Sequence, residues 1–449
     1  MKNRSEKHVD DAIVGGAKKG RLGRITDRAL NTIAVADDGM PVDRALSHTI
    51  KTARDLGSNE RRQLSELVYT VVKNRRKIKY RLHKALKACG KTVKVFDETM
   101  LIRFEVLVAL LEMGAEVQSL EKWDKYAYKR VPKLFEKLSR TVFKHKDFAV
   151  TYSLPAWIAD RWSNAHGDST AEKWAQSLLT RGPLTLRVNT MKASREEILE
   201  SLLTDHNIEC EPTTRAPHGI IVRQPADIEN LPLYREGIVE IQDEGSQLIV
   251  EAVAPKPGDK VFDACAGAGG KTLGLLAYAQ GKGEFVAVDI DKKKLSELQR
   301  RAKRAGYNQV KTFDFDMIDL PKKYLAWADR VLVDTPCSGS GRLRRQPDTK
   351  WRLTEAELLG FAGKQFAILS RGVDAAKVGG IIIYATCSLF REENEAIVQR
   401  LLEENGNVRS IRLSDMSPHL PDEPWHYIEP GPDESGPDGF FISAFQKMS

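Results

Sequence analysis

The chain has 449 residues, of which 41% are hydrophobic and 29% are charged, a composition that can build packed cores and stay in solution. This length suits about two to four domains of ordinary size. No apolar run is long enough to cross a bilayer, and the charged first residues lack the apolar stretch of a secretory signal. The five cysteines are widely spaced, and none forms a C-x-x-C pair, which argues against a disulfide framework and against a zinc knuckle. We therefore expect a cytoplasmic protein with no metal and no membrane partner.

Charge is unevenly distributed along the chain. Residues 1–150 contain 33 Lys and Arg against 19 Asp and Glu, a net charge of +14, whereas the remainder carries −6. A basic first third on a mildly acidic body is typical of contact with nucleic acid. A merely solvated basic face would have the same composition, so charge alone does not decide between these interpretations.

The first two predicted segments are a basic flexible arm, residues 1–25, and an all-α domain, residues 26–148. Ser58 is the expected N-cap of one of the helices in this domain. Apolar residues with helical spacing follow it, namely Leu64, Leu67, Val68, Val71 and Val72. A row of Lys and Arg residues comes next and favours a role in RNA binding over a purely structural bundle.

Two segments that contain strands follow. Residues 149–236 are predicted to form a small α+β module that binds RNA, with strands at 184–190 and 219–222 and a helix at 194–204. From residue 237 to residue 449, strands and helices alternate as in a doubly wound α/β domain. Its predicted strands are 260–263, 284–289, 310–315, 330–334 and 380–385.

A glycine-rich loop follows the first strand of the α/β domain, within residues 261–272. Glycines let a backbone approach a ligand closely, and the helix that follows offers free N–H groups. Cys265 stands where a P-loop needs glycine, and Leu273 or Thr272 stands where the dinucleotide fingerprint needs its third glycine. Asp263, ahead of the loop, suits the positively charged end of a cofactor, which points to S-adenosylmethionine.

Acidic residues follow the next two strands. Asp289 is placed to accept the hydroxyl groups of a ribose. Asp314 and Asp316 lie close to where an adenine amino group would bind. Each aspartate alone could be a helix N-cap, but acids at three successive strand ends after a glycine loop favour a cofactor site.

Two cysteines end the last two predicted strands. Cys337 lies in the turn Asp334-Thr-Pro-Cys, where amine methyltransferases carry an aromatic residue, and Cys387 follows the strand at residues 380–385. A thiolate that adds to carbon 6 of a pyrimidine makes carbon 5 nucleophilic enough to accept a methyl group. The carboxyl group of Asp334 could stabilise such an adduct at ring nitrogen 3. A buried structural thiol is the alternative for each cysteine taken alone.

On these motifs the sequence resembles the Sun (Fmu) family of RNA 5-methylcytosine methyltransferases, and most closely the branch that modifies small-subunit ribosomal RNA. The resemblance covers residues from about 150 to 449. The matching stretches are Leu186–Thr190, Gln242–Gln247, Asp263–Thr272, Asp334–Ser338, Arg344–Trp351, Ala385–Ser388, Glu392–Asn394 and Asp438–Phe441. The resemblance implies a Rossmann-like class I methyltransferase domain, preceded by the small α+β module and a NusB-like helical domain that binds RNA.

The resemblance also implies roles for individual residues. Cys387, in the T-C-S motif, would be the nucleophile, Cys337 would assist product release, and Asp334 would contact the cytosine. Asp316 is the better match to the family's acid near the cofactor, with Asp314 as its competitor. The cofactor would further contact Asp289, Asp334 and the loop formed by Cys265, Ala266, Gly267, Ala268, Gly269, Gly270 and Lys271. Ala268 departs from the family pattern, which usually has proline there.

Other interpretations remain open. DNA cytosine methyltransferases would place the nucleophile at the P-C motif, Cys337. A non-catalytic RNA assembly factor with a degenerate methyltransferase fold is disfavoured by the intact cysteines and acids, and a tRNA or another base is a further possible target. The basic residues around Trp351 predict a loop that binds RNA phosphates and an unstacked base, or else a solvated charged loop; they are Arg342, Arg344, Arg345 and Lys350.

Overall fold

The computed structural model describes residues 21–140, 143, 145–433 and 435–449. The first 20 residues of the predicted arm lie outside the described residues, and its last five begin a helix. The chain divides into two compact units, of which the first comprises residues up to 179 together with residues 343–352, and the second the rest. The domain boundaries drawn from the sequence at residues 148 and 236 stay predictions.

The first unit is helical in its described part. Its core is formed largely by long helices, whose side chains at Ile33, Leu64 and Phe104 are fully buried. The helices are α1 (Arg21–Asp37), α2 (Val42–Thr52), α3 (Ser58–Ala88), α4 (Glu98–Glu112), α5 (Val117–Trp123), α6 (Lys125–Arg130), α7 (Leu134–Arg140), α8 (Phe148–Thr151), α9 (Ala156–His166) and α10 (Asp168–Leu179). Ser58 was expected to cap α3, but the N-cap is Gly57, whose N–H donates to the Glu60 carboxylate at 2.9 Å.

Helix α3 is broken near its middle, at Asn74, which has φ −104° and ψ 16°. The N–H of Arg76 would donate to the Val72 carbonyl in an unbroken helix, but it donates to the Ser153 hydroxyl at 2.9 Å. The break therefore leaves backbone carbonyls of α3 available to other donors.

Residues 343–352, which we name the returning segment, supply those donors. The indole N–H of Trp351 donates to the Val72 carbonyl and Lys350 Nζ donates to the Lys73 carbonyl, each at 2.8 Å. In the same segment, the Asp348 carboxylate accepts a hydrogen bond from the N–H of Val42 at the start of α2, at 3.1 Å. An acidic side chain is favoured at a helix N-terminus.

Two of the four basic residues predicted to form a solvent-facing loop around Trp351 are buried, whereas the side chain of Arg342 is 42% exposed. Lys350 and Arg344 are each only 3% exposed, and Lys350 Nζ lies 4.9 Å from the centre of the Trp351 ring. Burial lowers the pKa of Lys350 to about 7. The hydrogen bonds of Lys350 and Trp351 to α3 stabilise the helical unit, and the charge of Lys350 is not presented to solvent.

The second unit begins with a small antiparallel sheet in the order β2-β3-β1-β4. Its elements are β1 (Leu184–Val188), α11 (Arg195–Thr204), β2 (Cys210–Pro212), β3 (Gly219–Val222), α12 (Pro232–Arg235) and β4 (Val239–Ile241). Ser194 caps α11 and forms a capping box with Glu197. The apolar core of this module includes Leu186, Leu202 and Ile220.

A large mixed sheet completes the second unit in the order β10-β12-β9-β8-β5-β6-β7, with β11 paired to β12. Strands β5 to β9 run parallel, and β10, β11 and β12 are antiparallel additions. The elements are α13 (Glu244–Val253), β5 (Lys260–Asp263), α14 (Gly270–Tyr278), β6 (Glu284–Val288), α15 (Lys292–Ala305), β7 (Val310–Phe313), β8 (Ala328–Asp334), α16 (Glu355–Ala375), β9 (Ala376–Thr386), α17 (Glu395–Glu404), β10 (Val408–Ser410), β11 (Trp425–Ile428) and β12 (Phe440–Lys447).

The predicted Rossmann-like domain, with an α+β module and an all-α region before it, is confirmed. The order reverses at β5, which lies between β6 and β8, so a crevice is expected at the carboxyl ends of these strands. Strand β9 starts at Ala376, ahead of the predicted start at residue 380, and Gly379 (φ +80°) lies inside it. The sequence analysis did not identify β12, which pairs antiparallel with β9.

Candidate active site

The glycine-rich loop joins β5 to α14 at the predicted edge of the sheet. Gly267 and Gly269 have φ values of +55° and +85°, which favour glycine. A Cβ on Gly269 would also lie 2.5 Å from Cγ of Leu298 on α15. Backbone conformation and packing thus both require glycine at position 269.

Carboxylates surround this loop. Asp289, after β6, accepts from the Gly267 N–H at 2.9 Å and so reaches the loop directly. Asp316 is exposed, caps the short turn after β7, and lies close enough to Cys265 to raise the pKa of that thiol. Asp314 instead pairs with Lys292 Nζ at 2.8 Å, which lowers the pKa of Asp314. The geometry therefore favours Asp316 over Asp314 as the acid that faces the loop.

Asp263, the last residue of β5, is buried beneath the loop. Burial raises its pKa from 3.8 to about 7, and the nearby Asp334 adds to this effect. The Thr272 hydroxyl donates to Asp263 Oδ2 at 2.7 Å. Asp263 Oδ1 is buried and has no hydrogen-bond partner among the described residues. A buried carboxylate oxygen without a donor is costly, so this position suits a cationic ligand.

The two cysteines of the strand ends lie together. Asp334 of β8 pairs with Ala385 of β9 in parallel register, so the segments that follow both strands leave the sheet side by side. The sulfur atoms of Cys337 and Cys387 are 3.1 Å apart, and the Cys387 N–H donates to the Cys337 sulfur at 3.3 Å.

The two thiols have opposite pKa shifts. The hydrogen bond from the Cys337 S–H lowers the pKa of Cys387, and the positive charges of Arg342 and Lys271 lower it further. The same hydrogen bond raises the pKa of Cys337 well above its usual range. Burial and four nearby carboxylates likewise raise the pKa of Cys265. Among these three thiols, Cys387 is the one favoured as a thiolate, which is the reactive form.

Asp334 connects the cysteines to the glycine loop. Lys271 Nζ, on the first turn of α14, lies 2.5 Å from Asp334 Oδ2. Asp334 and Lys271 both act on the pKa of Cys387, in opposite directions, so both charges lie near that thiol. The glycine loop, Asp334 and Cys387 therefore form one continuous candidate site.

Glu393 joins the two segments that contain Cys337 and Cys387. Its carboxylate accepts from the Ser338 N–H at 2.8 Å and from the Ser338 hydroxyl at 2.5 Å. It also accepts from the Ser388 hydroxyl and from Gln365 Nε2, the latter at 2.9 Å. Ser340 lies within 3.3 Å of both serine hydroxyls. This set, which we name the Glu393 network, holds the residues after Cys337 and Cys387 on one buried carboxylate.

The Glu393 network was not predicted, because Glu392–Asn394 was identified only as a stretch that matches the family and Glu393 was given no role. One pattern could have indicated it. Each cysteine is followed directly by a serine, Ser338 in one motif and Ser388 in the other. Buried hydroxyl groups need hydrogen-bond acceptors, and two that lie side by side can share one nearby carboxylate.

Two further observations concern metal ligands and membrane-spanning helices. Within the described ranges, no three or more His, Cys, Asp or Glu side chains are grouped as metal ligands. In the same residues, no helix combines the length and the hydropathy that a bilayer crossing requires.

Comparison with known proteins gives a consistent result. A family model described as 16S rRNA methyltransferase RsmB/F matches residues 250–446, and one described as an RsmF/B-like ferredoxin-like domain matches residues 154–229. A probable ribosomal RNA small subunit methyltransferase B from Bacillus subtilis is 27% identical over 444 residues, which cover 94% of this chain and 98% of that protein.

Two further relatives are informative. The ribosomal RNA small subunit methyltransferase B of Escherichia fergusonii is 33% identical over 303 residues, 66% of this chain and 67% of that protein. A solved methyltransferase homolog from Pyrococcus horikoshii is 28% identical and aligns with a TM-score of 0.58, covering 67% of this chain and 98% of that structure.

Proposed function

The chain belongs to the 16S rRNA methyltransferase RsmB/F family, and we propose that it methylates carbon 5 of a cytosine in small-subunit ribosomal RNA through a covalent cysteine adduct. The family membership confirms the resemblance inferred from the sequence and identifies an rRNA methyltransferase. The proposal adds the target atom, S-adenosylmethionine as the methyl donor, and the roles of individual residues.

The residues at the glycine loop fit S-adenosylmethionine. When bound, this cofactor supplies a methyl group carried on a positively charged sulfur. Asp263 would attract its positive charge, Asp289 its ribose and Asp316 its adenine. The unpartnered Oδ1 of Asp263 supports this assignment, because a buried carboxylate is stabilised by a cation. The backbone from Cys265 to Lys271 would form the wall of the site, with the α14 N-terminus behind it.

Cys387 is the proposed nucleophile. Its thiolate adds to carbon 6 of the cytosine, a C–S bond forms, and the electrons of the 5,6 double bond move towards nitrogen 3. Nitrogen 3 takes up a proton from solvent through the carboxylate of Asp334, which the ammonium group of Lys271 holds in place. Carbon 5 thereby becomes nucleophilic and accepts the methyl group.

Cys337 is the proposed release residue. As carbon 5 loses its proton to solvent, the C6–S bond breaks and its electron pair returns to the Cys387 sulfur. The Cys337 S–H, 3.1 Å from that sulfur, stabilises the departing thiolate. This pair of thiols beside the glycine loop is the observation that carries the proposal, since a non-catalytic RNA-binding protein has no use for it.

The test uses three purified variants incubated with 16S rRNA and S-adenosylmethionine. Denaturing gels detect a covalent complex of protein and RNA, and mass spectrometry of nucleosides detects 5-methylcytosine. Cys337→Ala should accumulate the covalent complex, and Cys387→Ala should form neither complex nor product. Cys210→Ala is the matched control, because that half-buried thiol lies in the small module, where it packs against the apolar core and donates to the Leu199 carbonyl at 3.7 Å.

Other outcomes are equally decisive. A stable complex with Cys387→Ala would reverse the two cysteine roles. Wild-type protein that yields neither complex nor 5-methylcytosine would favour the non-catalytic assembly factor. Bisulfite mapping of RNA from cells with and without the protein identifies the target, and unchanged ribosomal cytosines would contradict the rRNA assignment in favour of tRNA or another RNA.

A further inference from the structure

Two arginine side chains donate hydrogen bonds to backbone carbonyls of the glycine loop. Arg187 Nη1 donates to the Gly270 carbonyl and Arg301 Nη1 donates to the Ala268 carbonyl, each at 2.7 Å. The two carbonyls lie on either side of Gly269, which has a left-handed backbone conformation and is the N-cap of α14. We name this pair of contacts the arginine clamp.

The first half of the clamp comes from the small sheet. Arg187 lies on β1, is only 6% exposed, and also donates to the Gln242 side chain. Its guanidinium fills the space beside α14, since a Cβ on Gly274 would lie 2.7 Å from Arg187 Nη1. A buried guanidinium is costly unless its donors are used, so this contact fixes the position of the Gly270 carbonyl.

The second half is anchored to the same sheet through an ion pair. Arg301, on α15, donates to the Glu240 carboxylate at 2.8 Å through its other terminal nitrogen. Glu240 lies on β4, is 3% exposed, and also accepts from Arg304. The chain of contacts therefore runs from β4 through Glu240 and Arg301 to the Ala268 carbonyl.

We propose that Arg187 and Arg301 are positioning residues that make the small four-stranded sheet a support for the cofactor loop. Glycine-rich backbone is the most mobile kind, and ordering it at the moment of binding weakens a ligand's affinity. A loop whose carbonyls are already held has its N–H groups oriented before the cofactor arrives. The predicted RNA-binding module thus acquires a second task, and this inference rests on the proposed use of S-adenosylmethionine.

The clamp also restrains the backbone at Ala268, where this sequence lacks a proline. Ala268 stands where the resembling family has proline, and proline restricts φ whereas alanine does not. The Arg301 contact to the Ala268 carbonyl restrains the same peptide from outside the loop. Loss of that contact should therefore have a larger effect in this chain than in one with proline at position 268.

The test compares Arg301→Gln and Arg187→Gln with Arg300→Gln in the full-length protein. Arg300 is the matched control, because it neighbours Arg301 on α15 but is exposed and forms an ion pair with Glu297. Hydrogen–deuterium exchange of the ligand-free protein should accelerate at residues 266–271 in both clamp variants and not in the control. Unchanged exchange in the clamp variants overturns the proposal whether or not the protein uses S-adenosylmethionine.

Binding measurements separate positioning from general damage. The Kd for S-adenosylmethionine should rise about tenfold in each clamp variant, the effect expected when a hydrogen bond from a charged donor is lost. The Kd for 16S rRNA and kcat at saturating cofactor should stay within about twofold of wild type. Equal losses in RNA and cofactor affinity would indicate a merely structural role and overturn the proposal.

A rescue experiment completes the design. Ala268→Pro added to Arg301→Gln should recover most of the lost cofactor affinity, and failure to recover any would contradict the idea that Arg301 acts through the Ala268 peptide. If the wild-type protein itself binds no S-adenosylmethionine, the proposed function has failed, and the exchange measurement still decides whether the arginines hold the loop.

Discussion

Replacing Glu393 tests whether one buried carboxylate holds both cysteine segments. Glu393→Ala removes the acceptor of four donors: the backbone N–H and hydroxyl of Ser338, the hydroxyl of Ser388 and the amide of Gln365. Each hydrogen bond to a charged group contributes about 1.5–3 kcal/mol on its own. The four donors share one carboxylate and water can enter the space, so we expect a loss of ~3–5 kcal/mol in the free energy of unfolding, as for other broken buried networks.

Glu393→Gln is the matched control, because the geometry predicts that it is tolerated. Oε1 accepts from two N–H donors, the Ser338 backbone and Gln365, and the amide oxygen can occupy that place. Oε2 accepts from two hydroxyls, and a hydroxyl can rotate to accept from the amide nitrogen. We therefore expect Glu393→Gln to cost only about 1 kcal/mol, the value of an ordinary neutral hydrogen bond.

Urea denaturation followed by circular dichroism measures both free energies, and the rate of covalent RNA complex formation in a Cys337→Ala background reports on the position of Cys387. Glu393→Ala should slow complex formation by at least about tenfold, since small displacements of reacting groups have large effects on rate. The reasoning is refuted if Glu393→Ala is as stable as Glu393→Gln, or if both form the complex at the unmodified rate.

Three further predictions follow from the described contacts. The pKa of Asp263 is about 7 in the folded protein and 3.8 ordinarily, so its contribution to stability is present at acid pH and is lost as the pH rises through 7. The free energy of unfolding, measured by urea denaturation, should therefore fall by at most ~1.4 kcal/mol per pH unit between about pH 4 and 7, and Asp263→Asn should remove this dependence. Trp351→Phe keeps an aromatic side chain, but a smaller one, and leaves the Val72 carbonyl without its donor; it should lower the free energy of unfolding by at least about 1 kcal/mol in the same assay. Gly341→Ala would place a Cβ 2.1 Å from a backbone carbonyl oxygen and should lower the melting temperature. Gly360→Ala, in open space on α16, should raise the melting temperature because it removes a glycine from the interior of a helix. Equal shifts for the two variants would contradict this prediction.

Strand positions were predictable from the sequence because buried parallel strands are continuous apolar runs. Residues 260–263 and 219–222 were located to the residue, and the ends of β6 and β7 to within two residues. The proximity of Cys337 and Cys387 followed from the same pattern, since adjacent parallel strands end at one edge of a sheet. These inferences need only local patterning and a general rule of topology.

Contacts between distant segments were not predictable in this way. Lys350 and Trp351 read as solvent-facing RNA ligands, because charged residues are rarely buried without a partner. Their partners are carbonyls freed by a break in α3, and nothing in the sequence around Asn74 indicates that break. The arginine clamp was hidden for the same reason, since Arg187 and Arg301 are far apart in the chain and bind backbone atoms, which carry no sequence pattern.

The break in α3 has a consequence for the order in which the protein is made. The carbonyls of Val72 and Lys73 belong to the first part of the chain, but their donors, on Trp351 and Lys350, are among the last residues of the returning segment. About 170 residues separate α10 from those donors, which corresponds to roughly 10–30 s of synthesis at about 5–20 residues per second. During that interval the growing chain has only water to satisfy the two carbonyls. The helical unit therefore reaches its final form only after the glycine loop and strands β1 and β4 have been synthesised.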